Sequence, residues 1–179
     1  MSKQYGELVN DSTVRFERLL PGPIERVWEY LVDSDKRARW LCSGETELKE
    51  GGNVEMRFHN ASLSDEPDIE PPEKYRDMPE IITFSGRVLR CEPPRLLEHT
   101  WDFGDDFSQV RYELEETDSG VRLVLTHSKL HSKDEMLSVS GGWHTHLDIL
   151  VDVLNGDAPP AFWKTHEKYE AEYQRRLGA

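Results

Sequence analysis

Residues 134–155, DEMLSVSGGWHTHLDILVDVLN, decide the fold of this chain. A stripe of apolar side chains recurs there at helical spacing: Trp143, Leu147, Leu150, Val151 and Leu154. This spacing predicts one long helix, and Gly156 stands where a C-terminal cap belongs. Gly141 and Gly142 each lower helix propensity by about 1 kcal/mol relative to alanine. Such a cost is tolerated where a backbone must approach another element closely, and we expect that element to be a sheet.

The segments before this helix alternate apolar and polar residues, which is typical of strands with one buried face. They are 81–91, 95–103, 107–116 and 120–128, and they are separated by Pro-, Gly- and Asp-rich turns. Antiparallel strands followed by a long apolar helix predict an α+β domain of the helix-grip kind. In that fold a curved antiparallel sheet wraps around a long C-terminal helix.

The N-terminal half completes the predicted sheet. A first strand at 12–20 is followed by two short helices, at 23–33 and 34–40. A hairpin with strands at 44–49 and 53–59 then turns at Gly51-Gly52, where glycines supply the backbone angles of a tight turn.

Three other segments lie outside this pattern, although the 179 residues fit a single domain. Residues 1–11 are predicted to be a flexible N-terminus. Residues 60–80 hold seven acidic residues and four prolines, so we expect an exposed, mobile acidic loop insertion. Residues 159–177 add a C-terminal helix after Pro159-Pro160.

Composition excludes several classes of function. The net charge of −13 and the lack of a basic patch argue against nucleic acid and anionic membranes as partners. No apolar run is long enough to span a membrane, and the N-terminus lacks a signal pattern. Cys42 and Cys91 show no metal-binding spacing, so we expect reduced thiols in a cytoplasmic protein.

Five stretches together resemble the START/Bet v 1-like (SRPBCC) superfamily, in the branch related to the activator of Hsp90 ATPase. They are FERLLPGPIERVWEYLVDSDKRARW (16–40), GETELKEGGNVEM (44–56), RVLRCEPPRLLEHTWDF (87–103), VRLVLTHSKL (121–130) and SGGWHTHLDILVDVLNG (140–156). The resemblance covers roughly 12–177. It implies a helix-grip fold with a cavity between the sheet and the last long helix, and in many relatives a bound hydrophobic ligand. The eponymous co-chaperone also has an N-terminal domain with an NxNNWHW-type segment. This chain contains no such segment, so we do not expect direct stimulation of Hsp90.

Strand parity predicts the residues of a ligand pocket. If Trp101 faces the concave side, residues of the same parity on neighbouring strands face it too, and aromatic residues of the hairpin and helices complete the lining. The predicted pocket residues are Trp40, Met56, Phe58, His99, Trp101, Phe103, Tyr112, His127 and Trp143. The space is expected between Trp101, Tyr112 and His127 on the sheet and Trp143 on the helix.

Three functions fit these residues. The first hypothesis is a binding protein for a hydrophobic or aromatic small molecule, without a cofactor. The second is an enzyme of the cyclase, dehydratase or hydrolase type that uses His99, Tyr112 or His127 as acid or base. The third is a stress- or chaperone-associated interaction module. The sequence leaves a homodimer open. No metal site is expected, because His144 and His146 diverge on a helix and no other ligand motif occurs.

Overall fold

A computed structural model describes residues 4–103 and 106–178, with the side chains of 103 and 106 outside the described part. Its sheet has seven antiparallel strands in the order β1-β2-β7-β6-β5-β4-β3. The strands are β1 Glu7–Asn10, β2 Thr13–Leu20, β3 Asn53–Phe58, β4 Ile82–Glu92, β5 Leu96–Phe103, β6 Asp106–Thr117 and β7 Gly120–Ser128. The helices are α1 Ile24–Val32, α2 Ser34–Arg37, α3 Glu73–Arg76, α4 Lys133–Asn155 and α5 Phe162–Leu177. This architecture confirms the predicted α+β helix-grip fold.

Helix α4 begins and ends where its sequence provides caps. The Ser132 hydroxyl accepts a hydrogen bond from the Glu135 amide (3.1 Å), and Gly156 closes the helix with a φ of 79°. The helix lies against a row of buried side chains that crosses four strands. Phe16, Leu125, Tyr112 and Leu97 are directly opposite one another in the register. Because paired residues share a face of the sheet, this row forms the concave core beneath α4.

The segment 44–49 is not a strand, contrary to the prediction. It lies beside β3 through an isolated bridge at Thr46, another at the preceding Ser43, and backbone hydrogen bonds of Glu45 and Glu47, but it forms no continuous strand. The reason is Arg37, which is buried and donates hydrogen bonds to the carbonyl oxygens of Cys42, Gly44 and Glu55. Since a guanidinium offers five donors in a fixed fork, these hydrogen bonds hold the backbone after α2 in an irregular path, although it stays beside β3.

The seventh strand instead comes from the N-terminal segment that was predicted to be flexible. Glu7 lies opposite Arg15, and Leu8 lies opposite Val14. The Gly6 amide also donates to the Tyr173 hydroxyl of α5 (2.7 Å). Contacts with distant parts of the chain therefore order residues 7–10.

Residues 60–80 also pack on the protein, through α5. The segment contains a 3-10 turn at Asn60–Ser62 and the short helix α3. The Asp68 carboxylate accepts hydrogen bonds from the Trp163 amide (2.7 Å) and the Lys164 amide (2.9 Å) at the start of α5. The segment therefore supplies the cap that Ala161, at the N-cap position, does not provide.

The two glycines of α4 have different surroundings. A Cβ added to Gly141 would lie 3.3 Å from the Cα of Glu170, whereas one added to Gly142 would meet no atom within 4 Å. The close approach is therefore to α5, and the expectation that it is to the sheet was wrong.

Among the described residues, no helix is both long and apolar enough to cross a membrane.

Candidate functional site

An apolar cavity of about 320 Å³, which we call the sheet chamber, lies between α4 and the β3–β5 end of the sheet. Its walls are Leu41, Phe58, Asn60, Ile82, Phe84, Trp101, Glu135, Ser138, Val139, Gly142, Trp143 and His146. Four aromatic rings form a continuous surface. The Phe58 and Phe84 rings are stacked with centroids 5.2 Å apart, and Trp101 lies 5.0 Å from Phe84 and 5.2 Å from Trp143. Such walls suit a flat apolar molecule.

A second cavity of about 550 Å³, the α5 chamber, adjoins the first. It shares the walls Asn60, Ile82, Ser138, Val139, Gly142 and His146 with the sheet chamber. Tyr75 of the 60–80 segment and Phe162, Trp163 and His166 of α5 complete it. The shared walls show that the two chambers are neighbouring parts of one cleft.

The structure brings three of the predicted residues, Phe58, Trp101 and Trp143, to the wall of the sheet chamber. Five others are buried in the adjacent core and do not line either chamber: Trp40, Met56, His99, Tyr112 and His127. Phe103 is in β5, but its side chain lies outside the described part.

The place expected for the pocket is filled by the predicted residues themselves. The Trp143 ring lies 6.2 Å from Tyr112 and 6.2 Å from His127, and Trp101 lies 5.7 Å from His127. Rings at these separations pack against one another. The open space is displaced from them toward Phe84 and Val139.

His127 is saturated by protein partners. The indole N–H of Trp143 donates to His127 Nδ1 (2.9 Å), so Nδ1 is the acceptor of the ring. The neutral imidazole then carries its proton on Nε2, which donates to the Ser108 hydroxyl (2.6 Å). Burial, with a smaller contribution from the nearby His99, lowers the pKa of His127 to about 3. Nδ1 thus links the sheet to α4, and Nε2 links β7 to β6.

His99 and Tyr112 are also poorly placed for acid–base chemistry. The His99 Nδ1–H donates to the Thr100 carbonyl oxygen (2.8 Å), and burial lowers the pKa of His99 to about 4. Burial raises the pKa of Tyr112 above its ordinary value. Because neither residue lines a chamber, the structure does not support the acid–base hypothesis.

His146 lines both chambers, and the prediction of the pocket missed it. Its Nδ1–H donates to the Trp40 carbonyl oxygen (2.8 Å), and burial lowers the pKa of His146 to about 4. The ring is therefore neutral near pH 7. The helical spacing of Val139, Gly142, Trp143 and His146 was the signal that could have found it, since these residues lie on one stripe of α4.

Other chemistry has little support in the described residues. No group of three or more His, Cys, Asp or Glu in that part of the chain is arranged to hold a metal ion. Both cysteines are free, and burial raises the pKa of Cys42 to about 11, which disfavours a reactive thiolate. The exposed large apolar side chains include Leu8 of β1, Phe107 of β6 and Leu48, which is outside the helices and strands, and they do not identify an interaction surface.

Comparisons with known proteins agree with the fold. The model of the family described as activator of Hsp90 ATPase homolog 1-like proteins matches residues 21–155. A solution structure of a Bordetella parapertussis protein is 45% identical, with a TM-score of 0.79 over 99% of this chain and 93% of that one. CalU16 from Micromonospora echinospora is 24% identical, with a TM-score of 0.69 over 98% and 94% of the two chains, and shows a shared fold alone. Among curated proteins, none has significant similarity to this chain.

Proposed function

This chain belongs to the family of activator of Hsp90 ATPase homolog 1-like proteins, as its sequence predicted, and from that premise we propose that it binds an uncharged aromatic or apolar small molecule. The observation that carries the proposal is the sheet chamber. Its aromatic wall of Phe58, Phe84, Trp101 and Trp143 lies beside the neutral His146. A mostly apolar cavity with few polar groups is typical of small-molecule sites.

The size of the chamber limits the ligand. About 320 Å³ is at the lower end of the range for ligand sites, so we expect a compact ring system in the sheet chamber. A longer ligand would continue into the α5 chamber.

We also propose a cytoplasmic location, because free cysteines are typical of a reducing compartment.

Gly142 allows a direct test. Gly142 lines both chambers and an added Cβ there meets no atom within 4 Å, so a Gly142→Leu side chain would start in open space at the cavity wall. We expect the wild type to bind the uncharged fluorophore N-phenyl-1-naphthylamine with an increase in its fluorescence. Gly142→Leu should weaken that binding at least about tenfold, because the leucine occupies the space of the ligand.

Glu167→Leu is the matched control, because Glu167 is exposed on α5 and a leucine there adds the same side chain outside the cavity. It should bind the fluorophore as the wild type does. Equal affinity in all three proteins would show that the dye binds elsewhere. The proposal would be rejected by that result, or by a wild type that binds none of a set of uncharged aromatic compounds.

A further inference from the structure

The α5 chamber differs from the sheet chamber in its polar atoms. Asn60 Oδ1 and His166 Nδ1 belong to residues of its wall and are buried without a hydrogen-bond partner among the described residues, although a Glu170 carboxylate oxygen lies 3.6 Å from His166 Nδ1. His166 is only 5% exposed. Buried polar groups are rarely left unpaired in folded proteins, so these atoms require an explanation.

His146 presents a third polar atom at the junction of the two chambers. Its Nδ1 must carry the ring proton, because the Trp40 carbonyl oxygen can only accept a hydrogen bond. In the neutral ring this leaves Nε2 as an acceptor. Asn60 Oδ1 is likewise an acceptor, so the complementary group on a ligand is a hydrogen-bond donor.

The remaining walls of the α5 chamber favour an uncharged ligand. The rings of Tyr75, Phe162 and Trp163 surround His166 with centroids 5.5, 5.6 and 5.6 Å from it. Lys74 is paired with Glu170. The chamber also carries the carboxylates of Asp68 and Glu80 beside the guanidinium of Arg76, so a carboxylate or phosphate would not recover there the cost of burying its charge.

We propose that the ligand is a hydroxylated aromatic compound that spans both chambers. Its ring system lies in the sheet chamber, and its hydroxyl group donates a hydrogen bond to His146 Nε2. This proposal rests on the proposed function and adds the chemical class of the ligand. Residues 162–177, which form one side of the α5 chamber, lie outside the family match at 21–155. One side of the chamber that takes the polar end of the ligand is thus built by a region beyond the family match.

The test compares three probes of one ring system: 2-naphthol, 2-methoxynaphthalene and naphthalene. Only the first can donate a hydrogen bond. Calorimetric titration of the wild type should show 2-naphthol binding about fivefold more tightly than 2-methoxynaphthalene, the effect of one ordinary hydrogen bond. Naphthalene controls for the size of the methoxy group.

His146→Asn is the matched variant. The asparagine amide nitrogen is two bonds from Cβ, as Nδ1 is, so it can still donate to the Trp40 carbonyl oxygen while the Nε2 acceptor is lost. We expect this variant to bind 2-naphthol and 2-methoxynaphthalene with similar affinity. An undiminished preference for 2-naphthol in His146→Asn would overturn the assignment of His146.

The outcomes separate this proposal from the proposed function. If the wild type binds all three probes equally and Gly142→Leu blocks them, the chamber binds ligands but the donor proposal is wrong. If the wild type binds none of them, both proposals fail. Should His146→Asn not fold, the ¹⁵N resonance of His146 Nε2 in the wild type gives the answer. It should shift with 2-naphthol and not with 2-methoxynaphthalene, and equal shifts would contradict the proposal.

Discussion

His144 and His146 are separated by one residue of α4, and the protein surrounds them in contrasting ways. The His144 ring is stacked on Tyr169, with centroids 3.8 Å apart, and its Nδ1 is hydrogen-bonded to the Tyr173 hydroxyl (2.8 Å). His146 has one nitrogen on a backbone carbonyl and lines the two chambers. The same residue type thus connects elements on one side of the helix and lines an open cavity on the other.

The side of α4 that carries His144 is a buried polar network. The Asp148 carboxylate accepts a hydrogen bond from the Tyr169 hydroxyl (2.5 Å) and lies 3.5 Å from the Arg18 guanidinium of β2. Arg18 also donates to the Gln4 carbonyl oxygen (2.8 Å). This network joins the N-terminal segment, β2, α4 and α5. The side of α4 that carries His144 is therefore joined to neighbouring elements by hydrogen bonds and an ion pair. The side that carries His146 borders the two chambers.

Removing the carboxylate of Asp148 should disrupt the polar network on the side of α4 that carries His144. In Asp148→Ala the charge of Arg18, which is 8% exposed, loses a carboxylate partner that is itself 18% exposed. We expect the free energy of unfolding in urea to fall by about 3 kcal/mol, as is usual when one member of a buried ion pair is deleted. Glu92→Ala removes an exposed carboxylate and should change it by less than about 0.5 kcal/mol. Similar small losses in the two variants would show that the network contributes little.

On the cavity side of α4, the neutral His146 should make the stability of the protein depend on pH. The pKa of His146 is about 4 in the folded protein and 6.5 ordinarily, so between these values the unfolded chain binds more protons. The free energy of unfolding should therefore decrease as pH falls from about 6.5 to about 4. In His146→Asn this decrease should be shallower, by up to about 1.4 kcal/mol per pH unit. Urea titrations at pH 7, 6 and 5 measure the slopes, and identical slopes would contradict the neutral His146.

The adjacent glycines give the smallest and best matched test. Gly142→Ala should stabilise the protein by about 1 kcal/mol, since alanine favours the helix and its methyl group meets no atom. Gly141→Ala brings the same propensity but places a Cβ 3.3 Å from the Cα of Glu170, so α5 must shift. We expect Gly141→Ala to stabilise the protein clearly less than Gly142→Ala does, or to destabilise it. The Tm of each variant relative to the wild type measures this. Equal increases in Tm would mean that α4 has equal room for a methyl group at Gly141 and at Gly142.

Much of the fold could be predicted because it depends on local patterns. The apolar stripe of α4 and the alternation in β5, β6 and β7 are visible in the residues themselves. The predictions fail where contacts between distant residues determine the structure. Residues 7–10 pair as a strand near Tyr173, and Arg37 holds 44–49 in an irregular path. Most of 60–80 is exposed, as predicted, but its attachment to α5 through Asp68 had no signal in the sequence.

The candidate site shows the same division. Phe58, Trp101 and Trp143 could be placed on the concave side from strand and helix periodicity. The position of the free space could not, because it depends on how completely Trp143 and His127 fill the neighbouring core. The role of His146 depends on a hydrogen bond to Trp40, 106 positions away in the sequence. No local pattern contains that information.

The cap that Asp68 supplies to α5 links the wall of the α5 chamber to the stability of a helix end. Trp163 is at once a wall of that chamber and one of the two residues whose amides Asp68 holds. If residues 60–80 move away from α5, these amides lose their acceptor, at a cost of about 1 kcal/mol. Fraying of the first turn of α5 and access to the chamber are therefore thermodynamically coupled, and a ligand that bridges the two segments would suppress both.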